Sequence, residues 1–132
     1  MSQRSTRTAE ALTDFFNRFG IPAYEATAVP DIDPVTREKL QPPYITWQLV
    51  VPDIMQTMPF YAEVWYRSRS LVDLNAKVDE IETAIGDGVS IPTETGAVRI
   101  YRGSNFRQTR DFPGDPTYRC AYLNMLIATD TL

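Results

Sequence analysis

Residues 71–85, LVDLNAKVDEIETAI, place Leu71, Leu74, Val78, Ile81 and Ile85 at successive three- and four-residue steps. At 3.6 residues per turn, that spacing puts all five on one stripe of a helix. Burying them is worth on the order of 8–15 kcal/mol of gross transfer free energy, more than any polar effect in the segment. This helix therefore has to lie on a second apolar surface, and its neighbours in the chain offer a sheet. Ser70 with Asp73 resembles a capping box at its start. Gly86 ends it. Gly86-Asp87-Gly88 follows a helix instead of opening one, and no Lys-Ser/Thr comes after it, so it reads as a helix stop and not a phosphate loop.

The sheet is read from two-residue alternation. Ile45, Trp47, Leu49 and Val51 share one side of a strand over 44–51, and Phe60, Ala62, Val64 and Tyr66 one side of a strand over 58–67. The connector between them is too long for a two-residue turn and is apolar, which makes Ile54, Met55 and Met58 candidate partner contacts. Short strands over 90–91 and 97–102 pair next. A loop over 103–116, GSNFRQTRDFPGDP, leads to a last strand over 117–128. At the amino end, Ala9, Leu12, Phe15, Phe16 and Phe19 predict a helix from Ser5 to Phe19, capped by Ser5 or Thr6, with Gly20 as a left-handed stop and Pro22 forbidding continuation. Ile21–Tyr24 is a short edge-strand candidate. The long Pro-rich stretch 25–43 carries no apolar period and reads as a surface or contact loop. The expected architecture is one α+β domain over 1–132, a mostly antiparallel β-sheet with two α-helices packed on one face.

Composition removes most chemistry. The 132 residues include no histidine, which excludes Ser-His and Cys-His nucleophiles and the usual zinc and haem ligand sets. One cysteine, Cys120, excludes an intramolecular disulfide and iron–sulfur ligation. Its apolar strand neighbours make it a buried thiol, not a nucleophile. Asp31 and Asp33, and Asp111 and Asp115, are the only carboxylate pairs with the look of a metal-dependent hydrolase, and all four sit among turn-forming residues. The opening residues are too polar for a signal peptide, and no apolar stretch approaches the ~20 residues of a membrane helix. The expectation is a non-enzyme that takes no cofactor or metal and meets no membrane.

Charge and strand patterning point to association instead. Residues 70–97 hold six acids, Asp79 and Glu82 among them, and one base; residues 98–120 hold five arginines, among them Arg99, Arg102, Arg107 and Arg110, and two acids. Two opposite charge groups suit head-to-tail contact with further copies. These side chains, with Phe106, are the candidate subunit contacts. The same arginines, interleaved with Tyr101 and Phe106, could touch DNA passing nearby, although a net charge of -4 opposes tight non-specific binding. Finally, Tyr61 and Trp65 oppose Phe60 and Val64, and Tyr118 and Tyr122 oppose Leu123 and Met125, so both sheet faces carry large side chains. Two helices cover only one face, which leaves an aromatic surface for a partner.

The segments PPYITWQLVVPD, FYAEVWYRSRSLVDLNAKVDEIETAIGDGVSIPTETGAVRIYRGSNF and DPTYRCAYLNMLI resemble the tail terminator, or tail-to-head joining, proteins of long-tailed bacteriophages. The resemblance spans about residues 42–128. Its most specific features are Pro43-Tyr44-Ile45-Thr46, the helix ending at Ile85-Gly86-Asp87-Gly88, and Arg102-Gly103-Ser104-Asn105-Phe106. It implies a virion protein, assembled in the host cytoplasm. It further implies a ring, typically of six copies, that terminates the tail tube and docks to the head connector. A head completion or stopper protein of the same neck is the nearest alternative.

Overall fold

The computed structural model describes residues 3–48, 58–93 and 96–131. Helix α1 (Gln3–Phe16) runs into a 3-10 turn (Asn17–Phe19), then β1 (Ala23–Glu25), a second 3-10 turn (Ala26–Ala28) and β2 (Tyr44–Gln48). Then follow β3 (Met58–Arg67), α2 (Val72–Ile85), β4 (Val89–Thr93), β5 (Gly96–Arg110) and β6 (Tyr118–Thr131). The strands form one six-stranded sheet in the order β1-β2-β3-β6-β5-β4. Every pairing is antiparallel except β1 with β2. The expected α+β class, with two helices and a mostly antiparallel sheet, is what the chain adopts.

Both helices bury their stripes against the same side of the sheet. Leu12, Phe15 and Phe16 of α1 and Leu74, Val78, Ile81 and Ile85 of α2 join one core with Ile45, Trp47, Phe60, Val64, Ile100, Leu123, Met125 and Ile127. Phe16 meets Phe60 edge-on at 6.4 Å between ring centroids, tying α1 to the central strand. The sheet curls so that α1 touches both edge strands, β1 and β4. Pro92 sits in β4, where an edge strand tolerates it.

Several boundaries differ from expectation, each for a local reason. Helix α1 already includes Gln3, so Ser5 and Thr6 lie inside it and not at its amino end. Helix α2 has no capping box: Leu71 is the cap residue, and Ser70 Oγ instead accepts the Val72 N–H at 3.1 Å. Gly20 does stop the first helix, at φ 80°.

The stretch 26–43 is the crossover that β1 and β2 need in order to run parallel, made here without an α-helix. Within it, Ile32 bridges Lys39, the Asp31 carbonyl accepts from Leu40 N–H at 2.9 Å, and the Asp33 carbonyl accepts from Arg37 N–H at 2.9 Å. This is a small hairpin, and Arg37 takes the left-handed conformation its tip requires (φ 64°).

The largest correction concerns residues 103–116. Only 111–117 form a turn, because β5 continues to Arg110. Between Arg102, opposite Met125, and Arg107, opposite Leu123, the strand carries a wide bulge, with Asn124 as the one residue facing it from β6. Asn105 adopts φ 53° there, and its carbonyl accepts the Asn124 side-chain amide at 2.8 Å. Five steps along β5 thus match two along β6, so Arg102 and Arg107 point to the same side of the sheet.

Candidate assembly surface

The sheet face opposite the helices is built from the alternate positions of β2, β3, β6 and the end of β5. On it, Trp65 lies 5.2 Å from Tyr118, 5.8 Å from Phe112 and 6.4 Å from Tyr44, measured between ring centroids. Tyr24 continues the group from the edge strand, 6.2 Å from Tyr44. A second group stacks Tyr61 on Tyr122 at 5.2 Å. Two guanidinium groups cap the rings: Arg67 over Tyr118 at 5.1 Å and Arg110 over Tyr122 at 4.4 Å. Polar atoms inside the array are satisfied, with Trp65 Nε1 donating to Thr46 Oγ1 at 3.1 Å and the Tyr44 and Tyr118 hydroxyls 3.4 Å apart.

These rings are half-buried, not fully open. They shield one another, and the 111–117 turn folds Phe112 onto Trp65 and Tyr118. The turn is held by Asp115, whose carboxylate accepts from Arg67 at 2.6 Å, from Thr117 N–H at 3.0 Å and from the Thr117 hydroxyl at 2.6 Å. The Thr117 and Arg67 bonds hold that carboxyl down at about 2. The outer face therefore carries aromatic edges framed by arginines, and among the described residues no helix lies over it.

The charged candidates fall in two places. Arg107 donates to Asp79 at 2.6 Å and to Glu82 at 2.5 Å. Arg102 reaches Glu82 at 3.1 Å, Asp87 at 3.8 Å and the Gly86 carbonyl at 2.9 Å. The acidic helix and the arginine strand thus face each other within one chain and are not opposite poles. Helix spacing shows which stripe of α2 is buried, but not that its acidic flank lies over β5. Arg110 is on the outer face, 3.0 Å from Glu63. Arg99 is exposed on β5 and is engaged in an interaction of its own. Phe106 is half-buried in the bulge, packed on the edge of the core. Ile54 and Met55 lie outside the described residues, and Met58 opens β3 opposite Ile127.

Glu82 is held below the usual carboxylate range, chiefly by its hydrogen bond from Arg107. A folded-state value below the unfolded one stabilises the fold above the ordinary glutamate range and loses that stabilisation as pH falls through the folded value. Replacing Arg107 with Met is expected to cost about 1 kcal/mol at neutral pH, a modest figure because both side chains are about one-third exposed and screened. In denaturant titrations the gap between variant and parent should narrow as the pH falls below the ordinary glutamate range. A gap that stays constant across that range would show that the pair contributes nothing.

Of the four carboxylates weighed for metal chemistry, Asp33 and Asp115 hold turns. Asp33 Oδ1 accepts the Val35 N–H at 2.8 Å and the Thr36 N–H at 3.3 Å, the bonds of an Asx turn. Asp115 is committed as above, and Asp111 is exposed at the same turn. Among the described residues no group of three or more His, Cys, Asp or Glu could hold a metal ion. Burial, with Glu63 adjoining, pushes the Cys120 thiol up to about 12, far from a thiolate at neutral pH. Among the described residues no helix is long and apolar enough to cross a membrane. No family model and no curated protein matches this chain.

Proposed function

We propose that this chain is a structural protein of the neck of a long-tailed bacteriophage. In this reading it closes with copies of itself, typically six, into a ring that terminates the tail tube and joins it to the head connector. The observation that carries the reading is the outer sheet face: two groups of aromatic rings, framed by Arg67 and Arg110, on the side opposite α1 and α2. Large aromatic and arginine side chains are the groups enriched at the centres of protein interfaces.

The segments of resemblance support it further. Pro43–Thr46 leads into β2, Ile85–Gly88 ends α2, and Arg102–Phe106 enters and forms the bulge. All three are devices that shape a scaffold. Function in this reading is contact geometry, and the arginines of the outer face also suit DNA passing the neck.

The test is electron microscopy of the purified chain mixed with the tail tube protein of its virus. The reading predicts a ring at one end of the tube and tubes that no longer lengthen at that end. Binding to the head connector while tube ends stay bare would overturn it in favour of a head completion protein.

A further inference from the structure

Of the seven rings in the two outer-face groups, six stand on strands and Phe112 stands on the turn between β5 and β6. A strand ring is fixed by the backbone ladder beneath it, whereas a ring on a turn can leave without breaking a ladder bond. Phe112 lies 5.8 Å from Trp65 and, edge-on, 5.2 Å from Tyr118. The rest of the turn stays in solvent. Asp111, Pro113, Gly114 and Pro116 are all exposed, and a Cβ at Gly114 would meet nothing within 4 Å.

The turn is built as one piece and lightly attached. Asp115 N–H donates to the Phe112 carbonyl at 2.9 Å and Tyr118 N–H to the Asp115 carbonyl at 3.1 Å, so its backbone closes on itself. Pro113 and Pro116 fix φ within it. Two attachments tie it to the strands: the Phe112 ring, and Arg67, which donates to Asp115 at 2.6 Å and to Thr117 at 3.3 Å. The Arg67 and Asp115 side chains are 45% and 43% exposed, and ion pairs this open add little.

We infer that the turn is a plug which self-association must lift: in the free chain Phe112 fills the place against Trp65 and Tyr118 that a neighbouring copy takes in the ring, and the Arg67–Asp115 pair is its latch. The inference rests on the ring reading and adds to it the state of the face before assembly. A fully open aromatic surface invites contact with any apolar surface it meets. A ring from the same chain closes that surface, and a weak latch lets a neighbour with many contacts displace it.

Assembly of the full-length chain on tail tube ends, followed against chain concentration, tests this with variants that push in opposite directions. Phe112→Ala removes the plug and should lower the concentration needed for assembly about 10-fold. Asp115→Asn keeps an acceptor for Thr117 but takes the charge from the latch, and should lower it about 2- to 5-fold. Gly114→Ala reduces the freedom of the lifted turn, at a residue outside the left-handed region with room for the methyl group, and should raise it about 2- to 5-fold. Suppose parent rings form, but Phe112→Ala, with an unchanged circular dichroism spectrum, assembles no more readily than the parent. Phe112 is then part of the contact and not a plug, and the inference falls while the ring reading stands. If that variant does not fold, the other two decide: shifts that are absent or of one sign overturn the inference. If the parent forms no ring at tube ends, the ring reading falls and the inference with it.

Discussion

Phe60→Ala is expected to destabilise the fold by about 3–5 kcal/mol, lowering the thermal midpoint by about 10–20 °C. Phe60 is fully buried on β3, the strand between β2 and β6. It faces Met125 across the ladder and meets the Phe16 ring from α1. Truncation therefore opens a cavity where α1, the central strand and the last strand converge. Rigid neighbours on both sides leave little room for collapse, which puts the loss toward the upper part of the range for such changes. Phe106→Ala is the internal control, because that ring is only half-buried at the edge of the core and should cost clearly less. Chemical denaturation of both variants measures the difference. Equal losses would mean that the core is not organised around the contact of α1 with β3.

Gly88→Ala should cost about 2–4 kcal/mol, a large effect for one added methyl group. Gly88 adopts φ +139°, a backbone state that side chains oppose, and a Cβ there would lie 2.7 Å from the Tyr101 ring. It also donates its N–H to the Ile85 carbonyl at 2.8 Å, which fixes the step from α2 into β4. The two causes are separable. Adding Tyr101→Ala to Gly88→Ala removes the collision but not the backbone strain, so the double variant should recover part of the loss measured against Tyr101→Ala alone. Full recovery would assign the whole effect to the ring; no recovery would assign it to the backbone. By contrast, Gly20 and Gly114 have open space where a Cβ would go.

The parts of this fold that were legible in the sequence are those set by one local period. The stripe Leu74, Val78, Ile81 and Ile85 is buried as spacing demands, and the alternation in 58–67 places Phe60, Ala62 and Val64 inside. The large residues on both faces of β3 and β6 correctly announced a second aromatic side. What local patterns did not reveal is anything that depends on two distant segments. Gly103, Ser104 and Asn105 are turn formers, and the same properties serve a bulge; only pairing with Asn124 tells the two apart. A parallel β1 has no local signature, so its crossover read as a loop of unknown purpose. The acids of α2 and the arginines of β5 looked like separate charged surfaces because their meeting depends on where α2 crosses the sheet. That meeting shifts the case for self-association from bulk charge to aromatic contacts.

The central claim is that the outer sheet face is completed by neighbouring copies. Its most direct test is the mass of the particle formed by the chain at tail tube ends, taken by native mass spectrometry after release, together with the rotational symmetry seen in the microscope. The account predicts a closed ring of a single integral copy number, typically six in the proposed reading, in which Trp65 fluorescence loses its solvent quenching. A lone chain of 15.0 kDa fully active at the tube end, with Trp65 as accessible as in the free protein, would contradict it.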